Sequence, residues 1–184
     1  LRYMSGGQIS VPMVIRAPTG AGVQLAATHS QSFETWLAEV PGMKVVCPSN
    51  SYDALGLIRS AIKDNNPVFV AEPALLYGAK AEVPDEYYEI ELGKARIARA
   101  GSNITLVSYG YGMRPVEAAA DRLSMVGVSA EVIALRSLNP LDMDTIVASV
   151  QKTHRVVVVD SARRTGGIMA EVAAGVQQRA AEGR

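Results

Sequence analysis

Apolar residues fall along this chain in two alternating patterns, short unbroken runs and stretches at a spacing of three or four. Residues 11–17 (VPMVIRA) and 44–49 (KVVCPS) are runs of the first kind and predict buried strands. Between them, FETWLAEV predicts a short helix capped by Ser32 and ended by Pro41-Gly42. A longer helix follows, capped by Ser51, with Ala54, Leu55, Ile58, Ala61 and Ile62 on its apolar face. It stops at KDNNP, and residues 68–72 (VFVAE) read as the next strand. This strand–helix–strand rhythm favours a parallel sheet.

The rhythm breaks across GAKAEVPDEYYEIELG, which is acidic, contains Pro84 and has no helical period. Beyond Gly93 it resumes. KARIAR predicts an edge strand, NITLVSYG a buried one, and a helix then aligns Val116, Ala120, Leu123 and Val126 before Gly127 stops it. AEVIALR predicts a strand, Asp142 caps a helix carrying Met143, Ile146, Val147 and Val150, and RVVVVD predicts a further strand. A last helix, with Met169, Val172, Ala173 and Val176 inward, begins after TGG. The fold class is therefore α/β in two lobes. The expected division is a first lobe over residues 1–77, a linker over 78–92 and a second lobe over 93–184.

Composition narrows the function classes. The chain has 184 residues, is 48% hydrophobic and 20% charged, and carries a formal net charge of zero, the profile of a globular protein. Zero charge gives no basic stripe for nucleic acid, and no apolar run reaches bilayer length, so neither nucleic acid nor membrane is an expected partner. The single Cys47 cannot form an internal disulfide, which favours a reducing compartment. The opening LRYMSGGQ and the closing RAAEGR both read as cuts within a longer protein.

Most candidate motifs have ordinary structural readings. PTGAG and GYG are strand-exit turns without the spacing of a dinucleotide fingerprint or a phosphate loop. TGG before the last helix, the Arg163-Arg164 pair and His154 at a helix end are read the same way. Two features stand apart. His29 lies in AATHSQSFETW, a polar loop after a strand, where an imidazole can exchange protons near neutral pH. The segment IKDNNP gathers helix-end carbonyls, Asp64 and Asn66, which suits either a plain turn or a hard cation.

Longer stretches then match a family. YMSGGQISVPMVIRAPTGAG, HSQSFETWLAEVPGMKVVCPSNSYDALGLIRSAIKDNNPVFVAEPALLYG, GKARI, ITLVSYG and AEVIALRSLNPLDMDTI resemble the β subunit of thiamine-diphosphate-dependent 2-oxo acid dehydrogenases, pyruvate dehydrogenase being the nearest type. The likeness weakens around DSARRTGGIMAEV.

This resemblance implies part of a pyrimidine-binding domain followed by a transketolase C-terminal-like domain. It implies pairing with an α subunit and a second β subunit in a heterotetramer, thiamine diphosphate at the α–β interface, and docking on a dihydrolipoyl acyltransferase core. The diphosphate and magnesium belong to the α subunit's GDG-type motif, which this chain lacks. The glutamate that activates the cofactor lies upstream of the YMSGG segment in the family. The HSQS histidine corresponds to His29, implied to act in proton transfer as the acyl group passes to lipoamide. A potassium site corresponds to Ala61, Asp64 and Asn66, with a carbonyl from Met13. Acetoin is an alternative substrate, and a non-catalytic assembly module is an alternative role. A bacterial cytoplasm is the expected location, with the mitochondrial matrix as the alternative.

Overall fold

The computed structural model describes residues 1–182; the last two residues of the expected second lobe lie outside them. Eight strands and five α-helices follow in the order β1 (Val14–Thr19), α1 (Glu34–Ala38), β2 (Lys44–Val46), α2 (Ser51–Lys63), β3 (Val68–Pro73), β4 (Arg96–Arg99), β5 (Ile104–Tyr109), α3 (Met113–Met125), β6 (Ala130–Leu135), β7 (Ser137–Asn139), α4 (Met143–Thr153), β8 (Val156–Val158) and α5 (Ile168–Ala181). They build two four-stranded sheets, ordered β1-β3-β2-β7 and β4-β6-β5-β8. Within each sheet the strands joined through helices run parallel, as crossover connections require. β7 and β4 are the antiparallel members.

β7 was not legible in the sequence, and it changes the architecture. It leaves the second half of the chain to pair with β2 in the first sheet, Val45 opposite Asn139 and Val46 opposite Ser137. The two sheets consequently share one core. Val45, Phe69 and Ala71 of the first sheet belong to the same buried cluster as Val107, Tyr109, Ile133 and Leu135 of the second. Ile146 of α4 and Ile168, Met169 and Val172 of α5 complete it. A second cluster seats α3 on β5 and β6 through Met113, Val116 and Ala120.

Helix α2 buries only part of the face expected, Ala61 inside and Ile58 packed against the core, and its inward side is rotated from the rest. Asp53, Gly56, Leu57 and Ala61 are inside, whereas Ile62 is exposed and Ala54, Leu55 and Ile58 border an open groove. The cause lies in the segment that reads as a linker. Residues 80–87 are exposed, but the chain then crosses α2 as a strap, with Ile90 only 4% exposed among Val46, Leu57, Ala61, Val68 and Val70. Gly56 permits the crossing, because a Cβ there would lie 2.7 Å from the Ile90 side chain and 2.8 Å from the Tyr88 ring. The strap is pinned by polar contacts too. Ser60 Oγ donates to the Ile90 carbonyl at 2.6 Å, the Tyr88 hydroxyl donates to the Tyr52 carbonyl at 3.0 Å, and the Tyr52 and Tyr88 rings stack.

Smaller departures have local causes. Asn50, not Ser51, caps α2, its side chain accepting from the Asp53 N–H at 2.7 Å. Ser32 caps nothing, since α1 begins at Glu34 behind Phe33 and lasts one turn. β1 starts at Val14 and is half-exposed, because it is an edge strand paired to β3 alone. Val126 and Ala173 are exposed. Asp142 does cap α4, accepting from the Thr145 N–H at 3.2 Å.

Candidate functional site

Strand β1 delivers the chain to residues 20–33, the segment that carries His29. The Gly20 N–H donates to the Gln31 carbonyl at 3.1 Å, which closes the segment into a loop, and the Gln31 side chain donates to the Ala27 carbonyl at 3.1 Å. Two non-glycine residues inside it, Gln24 (φ 57°) and Ala26 (φ 62°), occupy the left-handed region. That conformation costs on the order of 1 kcal/mol or more per residue in an L-amino acid. His29 is exposed on this loop, and Val23 and Leu25 beside it are exposed as well. A polar imidazole, exposed apolar side chains and a strained backbone thus share one loop at the carboxyl end of a parallel strand, the end at which α/β sheets bind ligands.

Behind the loop, residues 30–36 face residues 161–166, which follow β8. They enclose a cavity of about 340 Å³ lined by Ser30, Gln31, Ser32, Thr35, Trp36 and Arg163 among others. Sequence reasoning read Arg163 as solvated and did not connect the two segments, because only the shared core brings them together.

Beneath α1 lies a buried group that sequence reasoning missed. Glu34 is 2% exposed. Its carboxyl accepts a short hydrogen bond from the Thr19 hydroxyl, and its second oxygen lies 3.1 Å from the Tyr109 phenol oxygen. The same phenol oxygen lies 3.1 Å from Asp160 Oδ2 at the end of β8. Burial, with the carboxyls of Glu34 and Asp160 next to it, pushes the Tyr109 hydroxyl far above the ordinary tyrosine value, so the phenol keeps its proton. Burial also pushes the adjacent Cys47 thiol well up, assisted by Glu34 and Asp160. Gly110 belongs to this packing, since a Cβ there would sit 2.9 Å from both Cys47 Sγ and Pro73, and its φ is +52°. The one available signal was an acid directly after HSQSF in an otherwise apolar helix.

The expected cation ligands gather at the end of α2. The Asp64 N–H donates to the Ala61 carbonyl at 3.3 Å, and Asp64 Oδ1 accepts from both the backbone and the side-chain nitrogen of Asn66 at 2.7 Å. Two basic side chains that the sequence did not nominate complete the cluster. Lys44 Nζ lies 2.5 Å from Asp64 Oδ2, and Arg2 Nε donates to Asn66 Oδ1 at 2.9 Å. Burial alone would raise the Asp64 carboxyl, but Lys44 and Asn66 outweigh it and hold it below the usual range. The Met13 carbonyl accepts from the Val68 N–H at 2.8 Å, where β1 meets β3. The side-chain oxygens of Asp64 and Asn66 are thus committed to protein donors. What suits an ion here is the main-chain carbonyls, each of which retains a second lone pair.

His154 is the αL cap of α4, with φ 59°, its N–H donating to the Val150 carbonyl at 2.7 Å. Among the described residues no group of three or more His, Cys, Asp or Glu side chains is placed to hold a metal, and no helix is long and apolar enough to cross a membrane.

Comparison with known proteins agrees with this geometry. The model of the transketolase pyrimidine-binding domain matches residues 1–80, and that of the transketolase C-terminal domain matches residues 93–184. The pyruvate dehydrogenase E1 component subunit β of Bacillus subtilis is 48% identical over 181 residues, 98% of this chain and 56% of that protein. The mitochondrial pyruvate dehydrogenase E1 subunit β of Caenorhabditis elegans is 47% identical over 96% of this chain and 51% of its own length. The acetoin:2,6-dichlorophenolindophenol oxidoreductase subunit β of Cupriavidus necator is 46% identical over 97% of this chain and 53% of its own. The chain therefore spans about half the length of the curated relatives it matches. Among solved structures, an inactive β4 tetramer of a split-gene transketolase superposes with a TM-score of 0.76 over 92% of this chain and 54% of its own, at 24% identity, a likeness of fold. On these matches the chain belongs to the transketolase-like family, combining its pyrimidine-binding and C-terminal domains.

Proposed function

We propose that this chain is part of the β subunit of a thiamine-diphosphate-dependent 2-oxo acid dehydrogenase, with pyruvate as substrate and a lipoyl group as acyl acceptor. The observation that carries the reading is the His29 loop, an exposed imidazole on strained backbone at a strand's carboxyl end. It stands in a chain nearly half identical to such β subunits along almost its whole length. Backbone held in a costly conformation while exposing Val23 and Leu25 suits a surface completed by another subunit, here the α subunit. In this reading thiamine diphosphate sits at that interface, with its magnesium on the α side, and supplies the carbanion chemistry of decarboxylation. The residues of this chain then have three tasks. His29 holds or releases a proton at its imidazole as the lipoyl disulfide opens, one sulfur taking the acyl group and the other, reduced, taking up a proton. Val23 and Leu25 exclude water from that side. The hydroxyls of Ser30, Ser32 and Thr35 hydrate or orient whatever enters the neighbouring cavity.

A potassium ion at the end of α2, expected at Ala61, Asp64, Asn66 and the Met13 carbonyl, would draw on the main-chain carbonyls of Ala61 and Met13, because Lys44 and Asn66 already occupy the Asp64 carboxylate. Its role is mechanical, tying α2 to the start of the strand that carries the His29 loop. A second β subunit and the acyltransferase core are the further partners of the assembly.

Pairing a complete β subunit that carries this sequence with an α subunit, and following pyruvate-dependent acylation of lipoamide with and without thiamine diphosphate, tests the reading. Cofactor-dependent turnover supports it, and a stable complex without turnover favours an assembly role. The 46% identity to an acetoin-oxidising β subunit gives the one competing substrate, and the same assay run with acetoin separates the two.

A further inference from the structure

Thr19 and Glu34 stand at the two ends of the His29 loop, as the last residue of β1 and the first of α1. The Thr19 hydroxyl donates to a Glu34 carboxyl oxygen, so a side-chain bond closes the neck of the loop, beside the bond from the Gly20 N–H to the Gln31 carbonyl. These bonds tie the neck to itself, on an edge strand and a one-turn helix. An anchor comes from the other sheet. Tyr109, the last residue of β5 and 6% exposed, sets its phenol oxygen 3.1 Å from Glu34 Oε1 and 3.1 Å from Asp160 Oδ2.

The phenol carries one hydrogen, which the two carboxyls share. Burial beside those acids keeps that hydrogen on the phenol, and the ring belongs to the shared core with Cys47 and Leu135. Asp160 follows β8, and its other oxygen accepts from the Ala162 N–H at 2.8 Å, which ties it to the start of residues 161–166. Glu34 thus stands on one wall of the 340 Å³ cavity, and Asp160 leads into the other. Without the hydroxyl, two acceptors would face one gap with no donor between them. A buried acceptor left in that state is costly, and the walls relieve it by parting and admitting water.

We propose that Tyr109 is a positioning residue for His29: its hydroxyl fastens the neck of the His29 loop to the end of β8 and so sets the separation of the two walls. This role rests on the reading of His29 as the proton-transfer group. Tyr109 touches neither substrate nor cofactor in it, and acts through the loop alone.

Two measurements on a complete β subunit paired with α test it. In Tyr109→Phe, amides on both walls should exchange with deuterium faster than in the parent, among them the N–H groups of Gly20, Leu37, Ala162 and Gly167, each hydrogen-bonded in the parent. Amides of β6 should keep the parent rate. Glu34→Leu should free the Gly20 and Leu37 side only, since the phenol hydrogen then goes wholly to Asp160. In the second measurement, Tyr109→Phe should lower kcat for lipoamide acylation by roughly 10- to 100-fold, the range a misplaced group costs, with the melting temperature little changed. In a His29→Ala background the same change should cost nothing further, because it acts through the imidazole.

Parent-rate exchange on both walls of Tyr109→Phe overturns the proposal. So does faster exchange spread evenly through the second sheet, which marks lost stability alone. An equal fall in acylation with and without His29 overturns it as well, by showing that Tyr109 acts elsewhere. Undiminished acylation in His29→Ala sinks the proton-transfer reading instead, and the exchange pattern still decides whether Tyr109 fastens the loop. Should Tyr109→Phe fail to fold, Glu34→Leu decides, since parent-rate exchange at Gly20 and Leu37 would show that no tether runs through Glu34.

Discussion

If residues 88–92 are a packed strap, Gly56 and Ile90 are energetically coupled across 34 positions of sequence. Truncating Ile90 to Ala removes three carbons from a site 4% exposed. At ~0.8 kcal/mol per buried methylene, with a further contribution from the cavity left among Val46, Leu57 and Val70, the loss is about 3 kcal/mol. Gly56→Ala behaves differently. In a free helix it would stabilise by about 1 kcal/mol, but here the new methyl would lie 2.7 Å from Ile90 and 2.8 Å from Tyr88. Overpacking of that kind costs ~1–3 kcal/mol, so the single change is destabilising. In the double variant the methyl enters the space Ile90 vacates, while only the partly exposed Tyr88 ring must still shift. The double variant should therefore lose less than the two single losses combined, by about 1 kcal/mol. Urea unfolding at constant slope measures all four proteins. Losses that add within ~0.5 kcal/mol, or a Gly56→Ala variant more stable than wild type, would show that the strap is not packed on α2.

Other consequences are more local. Asp53 is fully buried with Arg136 3.8 Å and Arg96 3.7 Å away, and its Oδ1 accepts no hydrogen bond. Asp53→Ala leaves both guanidinium groups unbalanced and should cost ~3–5 kcal/mol in urea unfolding; a loss under ~1 kcal/mol would mean that the charges are solvated instead. Asp64, Glu131 and Asp142 are all held below their ordinary values, burial being outweighed by Lys44 and Asn66, by Lys152, and by the Ala95 N–H and Thr145. Their stabilisation is present above the unfolded carboxyl range of about 4 and is lost as pH falls through their lower folded values. The melting temperature should then drop below about pH 4, with a shallower slope in Glu131→Gln, and equal slopes would contradict this. Cys47, 1% exposed with its thiol pushed up by burial, should resist alkylation in the native protein and react once urea unfolds it; rapid native labelling would show that the shared core opens.

Much of the fold could be read from the chain because most elements carry their own signal. The largely apolar runs of β3, β5 and β6 and the Asp142 cap of α4 need no tertiary information. β7 has no such signal: Ser137–Asn139 is short and polar, and its pairing with β2 is a purely long-range event. The buried face of α2 was only partly legible for a related reason: Ala61 and Ile58 pack inward as expected, and Ile62 does not. Ala54 and Leu55 have the right spacing, yet Gly56 is the inward residue, because the strap needs a position without a side chain. At the site, His29 stands out from sequence alone as a scarce ionisable group in a polar loop. Glu34 does not, since an acid in a first helical turn ordinarily faces water. Its burial follows from where Thr19, Tyr109 and Asp160 converge.

The central claim is that His29 performs proton transfer in an assembled dehydrogenase. Its direct test is His29→Ala in a complete β subunit paired with α, comparing lipoamide acylation and melting temperature with those of the parent. General acid–base assistance is worth ~10²–10⁴-fold, so acylation should fall by about that factor. The melting temperature should stay unchanged, because an exposed loop imidazole supports little of the core. Undiminished acylation, or a collapse of stability in place of a loss of rate, would contradict the assignment.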